Sequence, residues 1–200
     1  MNKKEVVKEK IGKAAMQCFE KFGLDKTTLD DIAQSVGLNK ASLYYYYKNK
    51  EEIFIEVGLK EGEDYIASLQ QQSLLKKGIE NQVWFYMLSR FNYYKNILNM
   101  NKVSVETLNK ILPRFFELYD ALMKKEKKFL SQLLSNAVEE GELIKTNTAK
   151  IADVLINISD ALKHSTEQKA ILKRETNVDY SNSINDMKLL VSLIFKGLKK

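Results

Sequence analysis

Residues 27–54 read T-T-L-D-D-I-A-Q-S-V-G-L-N-K-A-S-L-Y-Y-Y-Y-K-N-K-E-E-I-F, and the chemistry of helix ends leaves this stretch few ways to fold. Thr28 followed by Asp31 resembles a capping box, in which two side chains take up orphan backbone amides. Leu29, Ile32, Ala33 and Val36 follow in helical phase. A short helix therefore starts near Thr28. Gly37 stands where that helix must end, and only glycine enters the left-handed region without steric cost, so it can stop one helix and turn the chain sharply. Asn39 then caps a second helix, spanning about residues 39–47. Two helix starts around one tight turn is the order that a helix-turn-helix requires.

The second helix separates its roles by position. Leu43 and Tyr47 lie four apart on one face and are expected to anchor it to the helices before it. Lys40, Ala41, Ser42, Tyr44 and Tyr46 are left on its first turn and outer face. In a helix-turn-helix that surface enters the major groove and meets base edges and phosphates. Asn49 with Glu52 repeats the capping pattern and opens a third helix. Lys50 then rides on a helix N-terminus whose amides and ammonium both suit a phosphate oxygen.

Ile11, Ala14, Ala15, Phe19 and Phe22 with Gly23, followed by T-T-L-D-D-I-A, V-G-L-N-K-A-S-L-Y-Y-Y-Y and K-N-K-E-E-I-F, resemble the N-terminal domain of the TetR family of bacterial transcriptional regulators. The resemblance covers roughly the first quarter of the chain. It implies an all-α homodimer: an N-terminal three-helix helix-turn-helix DNA-binding domain, taken as residues 1–48, followed by a helical ligand-binding and dimerisation domain, residues 49–200. By the resemblance Lys40, Ala41, Ser42, Tyr44 and Tyr46 take base-reading and phosphate-contacting positions, with Asn39 capping that helix, and Thr28 and Lys50 take phosphate-anchoring ones. Tyr47 departs from the phenylalanine common at its position, and its hydroxyl needs water or a partner.

Composition agrees with helices: the 200 residues include only 8 glycines and 1 proline, and 44% are apolar, enough for a sizeable core. The net charge of +6 is uneven, with ten lysines against six acids in residues 1–50, where the motif lies. The single cysteine, Cys18, excludes an intrachain disulfide framework and fits a reducing compartment and inert packing. No apolar run approaches the roughly 18 residues of a membrane span, so a soluble cytoplasmic protein without a membrane association is expected.

Glu5 to Phe22 reads as a first helix with Ile11, Ala14, Ala15, Cys18, Phe19 and Phe22 on one face. From Lys50 a helix continues past Leu69 with no proline or flexible linker, coupling the head rigidly to the body. Further helices are expected over about residues 77–98, 104–140, 147–168 and 183–199, the second of them split by Pro113. Trp84, Leu88, Phe91 and Tyr94 recur at helical spacing, as do Leu112, Phe115, Phe116, Tyr119 and Met123. These side chains suit an ordinary core, and they also suit an apolar effector chamber in which Tyr94 and Tyr119 orient a ligand. Glu126 occupies an in-phase place where an apolar residue is expected; it either snorkels to solvent or takes Arg90 or His164 as partner.

The last helix carries Met187, Leu190, Val191, Leu193, Ile194 and Leu198, an arc too broad for one face of a monomer. With Ile151, Leu155 and Ile158 of the helix before it, this arc is expected to meet a symmetry mate, as the family's four-helix dimer bundle implies. The chemistry for catalysis is thin. One histidine, one cysteine and no Glu-x-x-His or His-x-x-x-His pair leave no catalytic or metal-ligating set and call for no cofactor. The expected function is a repressor that a small apolar or amphipathic effector releases from a palindromic DNA operator. A DNA-binding dimer controlled by a protein partner, or one acting as an activator, is the alternative, and an all-helical enzyme is a remote third.

Overall fold

The structure is a computed structural model that describes residues 3–97, 105–175 and 177–199, with the side chains of 96, 97 and 105–118 excepted. The described residues form eight helices: α1 (Lys3–Phe22), α2 (Leu29–Ser35), α3 (Lys40–Tyr44), α4 (Lys50–Leu74), α5 (Ile79–Ile97), α6 (Val105–Glu139), α7 (Thr148–Leu172) and α8 (Ser181–Leu198). Their only extended pairing is an isolated bridge between Leu143 and Lys199. Among the described residues no helix is long and apolar enough to cross a membrane. The residues fall into two compact units, one drawn from Met1–Asp64 and Met100–Ala121, the other from Tyr65–Asn99 and Leu122–Lys200. Both α4 and α6 run unbroken from one unit into the other. The interruption expected at Pro113 does not occur, and α6 is one element of 35 residues.

In the first unit the apolar stripe of α1 supplies Ile11, Ala15 and Phe19, which pack with Ile32 and Ala33 of α2, Leu43 of α3 and Ile53 of α4. Phe22 departs from the expected stripe. It is the last residue of α1, half exposed, and the Lys21 ammonium covers its ring. Gly23, at φ 83°, turns the chain out of the helix there, so the face that Phe22 would have joined ends one turn earlier. Thr27 is buried and its hydroxyl donates to the Gly23 carbonyl at 2.8 Å, tying off that corner.

In the second unit α5 turns Val83, Tyr86, Met87, Arg90, Phe91 and Tyr94 inward. From α8 come Met187, Val191 and Phe195, spaced four apart. Met187 and Val191, with Leu155 of α7, are thus buried by their own chain, a correction to their expected place in an intersubunit face. The arc of α8 is broad because two of its sides are apolar: one packs inward, and Leu189 and Leu193 stay exposed on the other. Helix α7 runs to Leu172, one turn beyond the expected end, where Arg174 adopts a left-handed conformation.

Gly12 marks a close approach of α1 to α4. It is buried within α1, and a Cβ built on it would lie 2.6 Å from Cγ2 of Val57 on α4. Valine in a helix has essentially one χ1 rotamer and cannot swing aside. The overpacking cost of about 1–3 kcal/mol outweighs the roughly 1 kcal/mol that replacing a helical glycine by alanine returns. Gly12→Ala is therefore expected to lower the thermal midpoint by a few degrees, and combining it with Val57→Ala should lose less than the sum of the two. A midpoint unchanged or raised in Gly12→Ala would contradict this packing.

Candidate nucleic-acid interface

The reading head is set by local hydrogen bonds. Asp31 N–H donates to Thr28 Oγ1 at 3.2 Å, while Thr28 N–H and its hydroxyl donate to Asp31 Oδ2 at 2.8 and 2.6 Å. The capping box of α2 is complete. The Thr28 hydroxyl, and then its amide, hold the Asp31 carboxyl below the usual carboxylate range. At the other end Gly37, at φ 71°, lets its own N–H reach the Gln34 carbonyl and the Leu38 N–H reach Ala33, so α2 closes and reverses. Asn39 caps α3 by accepting from Ser42 N–H at 2.8 Å. Asn49 does the same for α4 toward Glu52 N–H, but Glu52 reaches back to Lys48 N–H, one residue earlier than a simple capping box would have it.

The short α3 changes which tyrosines face outward. Leu43 and Tyr47 are buried as expected, and Lys40, Ala41 and Tyr44 are exposed, with Ser42 half-buried. Because regular helix stops at Tyr44, the following turn breaks the phase. Tyr46 packs against the core, and Tyr45, 71% exposed, takes the outward place instead. Lys4 lies 5.1 Å from the Tyr45 ring centroid, and Tyr45 and Tyr46 meet edge to face at 5.2 Å. Tyr45 is the surface aromatic that helical periodicity missed; only the four-tyrosine run hinted at it.

Two lysines of the surface already have partners. Lys40 Nζ donates to Asp30 Oδ2 at 2.7 Å. Lys50 Nζ donates to the carbonyls of Asp25 and Thr27, both at 2.8 Å, so it ties the first turn of α4 to the loop ahead of α2. The Tyr47 hydroxyl finds its partner in Glu56, donating at 3.1 Å, while Lys8 pairs with the same carboxylate and lies over the Tyr47 ring at 4.5 Å. Burial, then the Glu56 charge, pushes the Tyr47 phenol above its ordinary value.

Of the residues expected to line an effector chamber, Tyr94, Met123 and Glu126 meet around Arg90. Phe115 and Phe116, with Leu112, lie outside the residues whose side chains are described. Trp84 and Leu88 are half-buried on α5, with Lys188 over the Trp84 ring. Phe91 meets Tyr180 edge to face at 5.7 Å, and Tyr119, half-buried, belongs to the first unit. His164 is exposed and pairs with Gln168 one turn on, so it is not the partner of Glu126.

What the structure brings together is a charged core. Glu126 is fully buried rather than snorkelling, and it accepts from Arg90 Nε at 2.7 Å, Tyr86 Oη at 2.7 Å and Tyr94 Oη at 2.8 Å. The same guanidinium, 1% exposed, grips Asp160 of α7 through two nitrogens at 2.8 and 3.3 Å and reaches Met123 Sδ at 3.0 Å. Burial, reinforced by Glu126, drives the Tyr86 phenol well above its usual range and keeps it a donor. Among the described residues no buried side-chain nitrogen or oxygen is left without a partner.

Removing one member should be costly. Glu126→Ala takes the buried carboxylate away from the buried Arg90 guanidinium and from the two buried hydroxyls that donate to it, a loss of about 3–5 kcal/mol. Urea denaturation is expected to show it, and the paired replacement Arg90→Met with Glu126→Leu should cost less because the carboxylate it deprives of the guanidinium, Asp160, is partly exposed rather than buried. Equal losses in the two proteins would mean that packing, not charge, holds these helices.

Residues 11–57 match the family described as bacterial regulatory proteins, tetR family. The biofilm operon icaADBC HTH-type negative transcriptional regulator IcaR of Staphylococcus epidermidis is 56% identical over 48 residues, which are 24% of this chain and 26% of that protein. The chain thus spans about a quarter of the length of that relative. The regulator of the same name from Staphylococcus aureus is 30% identical over 132 residues, 63% of this chain and 70% of the relative. A transcriptional regulator from Cytophaga hutchinsonii shares the fold with a TM-score of 0.74 at 22% identity, over 96% of this chain and 98% of that one. With its capped α2, its reversal at Gly37 and its exposed Lys40, Tyr44 and Tyr45, the chain belongs to the TetR family of bacterial transcriptional regulators.

Proposed function

We propose that this protein is a repressor that binds a palindromic operator as a homodimer, each head laying α3 in the major groove. The observation that carries the reading is the capped α2–Gly37–α3 turn, which leaves Lys40, Ala41 and Tyr44 exposed around a buried Leu43. Ser42 and the missed Tyr45 extend that surface, Thr28 and Asn39 order it, and Lys50 has one donor left for a phosphate after two carbonyls. Repression is supported by the relatives from two staphylococci, both named negative regulators of a biofilm operon. The functional boundary is placed after residue 48, with α4 transmitting changes in the body to the head.

A second copy is assigned to the outer side of α8. Leu189 and Leu193 are exposed there, flanked by the half-buried Leu190, Ile194 and Leu198, and Ile151 and Ile158 of α7 are half-buried as well. Two heads can then grip half-sites about one DNA turn apart. Leu189→Glu with Leu193→Glu is expected to give a folded monomer by light scattering, since neither side chain supports its own core, and to lose tight binding to a palindromic duplex. Wild-type binding should weaken steeply with salt as phosphate counterions are released. A double variant that keeps the dimer mass, or salt-independent binding, would overturn this reading.

Control by a small apolar or amphipathic effector rests on the aromatic and methionine side chains of α5 and α6, among them Tyr94, Tyr119 and Met123. The alternative, control by a protein partner, is favoured by one observation: the face of α5 toward Glu126 is already filled by paired charges. Native mass spectrometry of gently purified protein, followed by binding of any retained compound, separates the two. An effector should lower operator affinity by the same free energy by which DNA lowers effector affinity, typically about 1–3 kcal/mol, and should perturb Trp84 fluorescence. A compound that binds with no effect on DNA affinity would leave the partner reading.

A further inference from the structure

Lys40 stands at the first position of α3, and its ammonium is held by a residue from the preceding helix. Nζ lies 2.7 Å from Oδ2 of Asp30, with both side chains about half exposed. An exposed pair of this kind adds little to stability. Nor does α2 need Asp30 at its start, since Asp31 completes the capping box. A lysine is a flexible four-carbon stem carrying a point charge, able to reach many phosphates from one backbone position. We propose that Asp30 is a positioning residue for sequence recognition: it aims the Lys40 ammonium at one place in the major groove and denies it to the phosphates of arbitrary DNA. The inference rests on the reading of Lys40 as a DNA contact.

The chemistry follows from donor counts. An ammonium has three donors, and Asp30 takes one, so two remain for a purine edge, of which guanine with its O6 and N7 acceptors is the best match. On the matching duplex the pair stays intact and Lys40 donates onward. On other duplexes affinity comes almost entirely from neutralised phosphates, and a lysine pinned to a carboxylate contributes little to that sum. Asp30 also brings its own negative charge to the approach of a phosphate. Discrimination here arises by weakening wrong complexes more than by strengthening the right one.

The test uses the full-length protein and two DNAs: a duplex that the wild-type protein selects from a randomised 24-base-pair pool, and the unselected pool. Asp30→Asn should tighten pool binding several-fold and steepen its salt slope by about one unit as Lys40 becomes free to reach phosphates. It should leave the selected duplex no tighter, so that the preference between the two DNAs falls roughly tenfold. Asp30→Ser, which removes the charge with a different side chain, should act alike. Selection repeated with Asp30→Asn should lose its preference at one base pair in each half-site. In a Lys40→Ala background the Asp30 substitution should no longer change the preference. Asp30→Asn tightening both DNAs equally, or acting the same without Lys40, would reduce Asp30 to a general repulsive charge and overturn the proposal. If Lys40→Ala itself leaves the selected duplex unaffected, the DNA-contact reading of Lys40 falls, and the inference with it.

Discussion

The reversal at Gly37 is the constraint on which the reading head depends. Within the four residues 36–39 the chain must end one helix, change direction and cap another, and each step leaves backbone groups that need partners. Gly37 at φ 71° allows its own amide and that of Leu38 to close α2, and Asn39 supplies the first acceptor of α3. A side chain at Gly37 would meet no neighbour, so it is backbone conformation rather than space that calls for glycine there. With the turn fixed, Leu43 is drawn into the core and the first turn of α3 is left facing solvent.

Around that turn the first unit is tied by polar links between helices. Lys50 spans from α4 to the loop before α2, Lys40 from α3 to α2, and the Lys8, Tyr47 and Glu56 cluster joins α1, the turn after α3 and α4. Each link is partly exposed and individually weak. Their effect is geometric: they fix the angles at which short helices meet, and α3 is a single turn that cannot hold an orientation by itself. Under the proposed phosphate contact Lys50 would serve both structure and recognition, since its ammonium also binds two carbonyls of the head.

Features written in local chemistry were legible in the sequence. Thr28, Asp31, Gly37 and Asn39 announce helix ends because caps act over three residues, and the all-helical class followed from the family resemblance together with the scarcity of glycine and proline. What depends on the end of a helix or on distant packing was not legible. Tyr46 and Tyr45 exchanged places because periodicity was carried past Tyr44, where α3 stops. Phe22 was assigned to a stripe that the turn at Gly23 cuts short. On α8 the surplus of apolar residues was readable, but not which side its own chain would claim; Met187 and Val191 went inward and Leu189 outward. Glu126 was recognisable as out of place, yet its partner lies 36 residues away in the chain, and nothing local chooses Arg90 over His164.

The three-way charge contact in the second unit also bears on how such a sequence can change over generations. Arg90 serves Glu126 on one helix and Asp160 on another, and Tyr86 and Tyr94 orient their hydroxyls to the same carboxylate. Altering Arg90 or Glu126 alone takes the charge partner from a buried group. A lineage can therefore leave this arrangement most readily by replacing those two positions together, or by first gaining stability elsewhere. Descendants should inherit the cluster as a block or lose it as a block, and the positions around it become the ones free to drift.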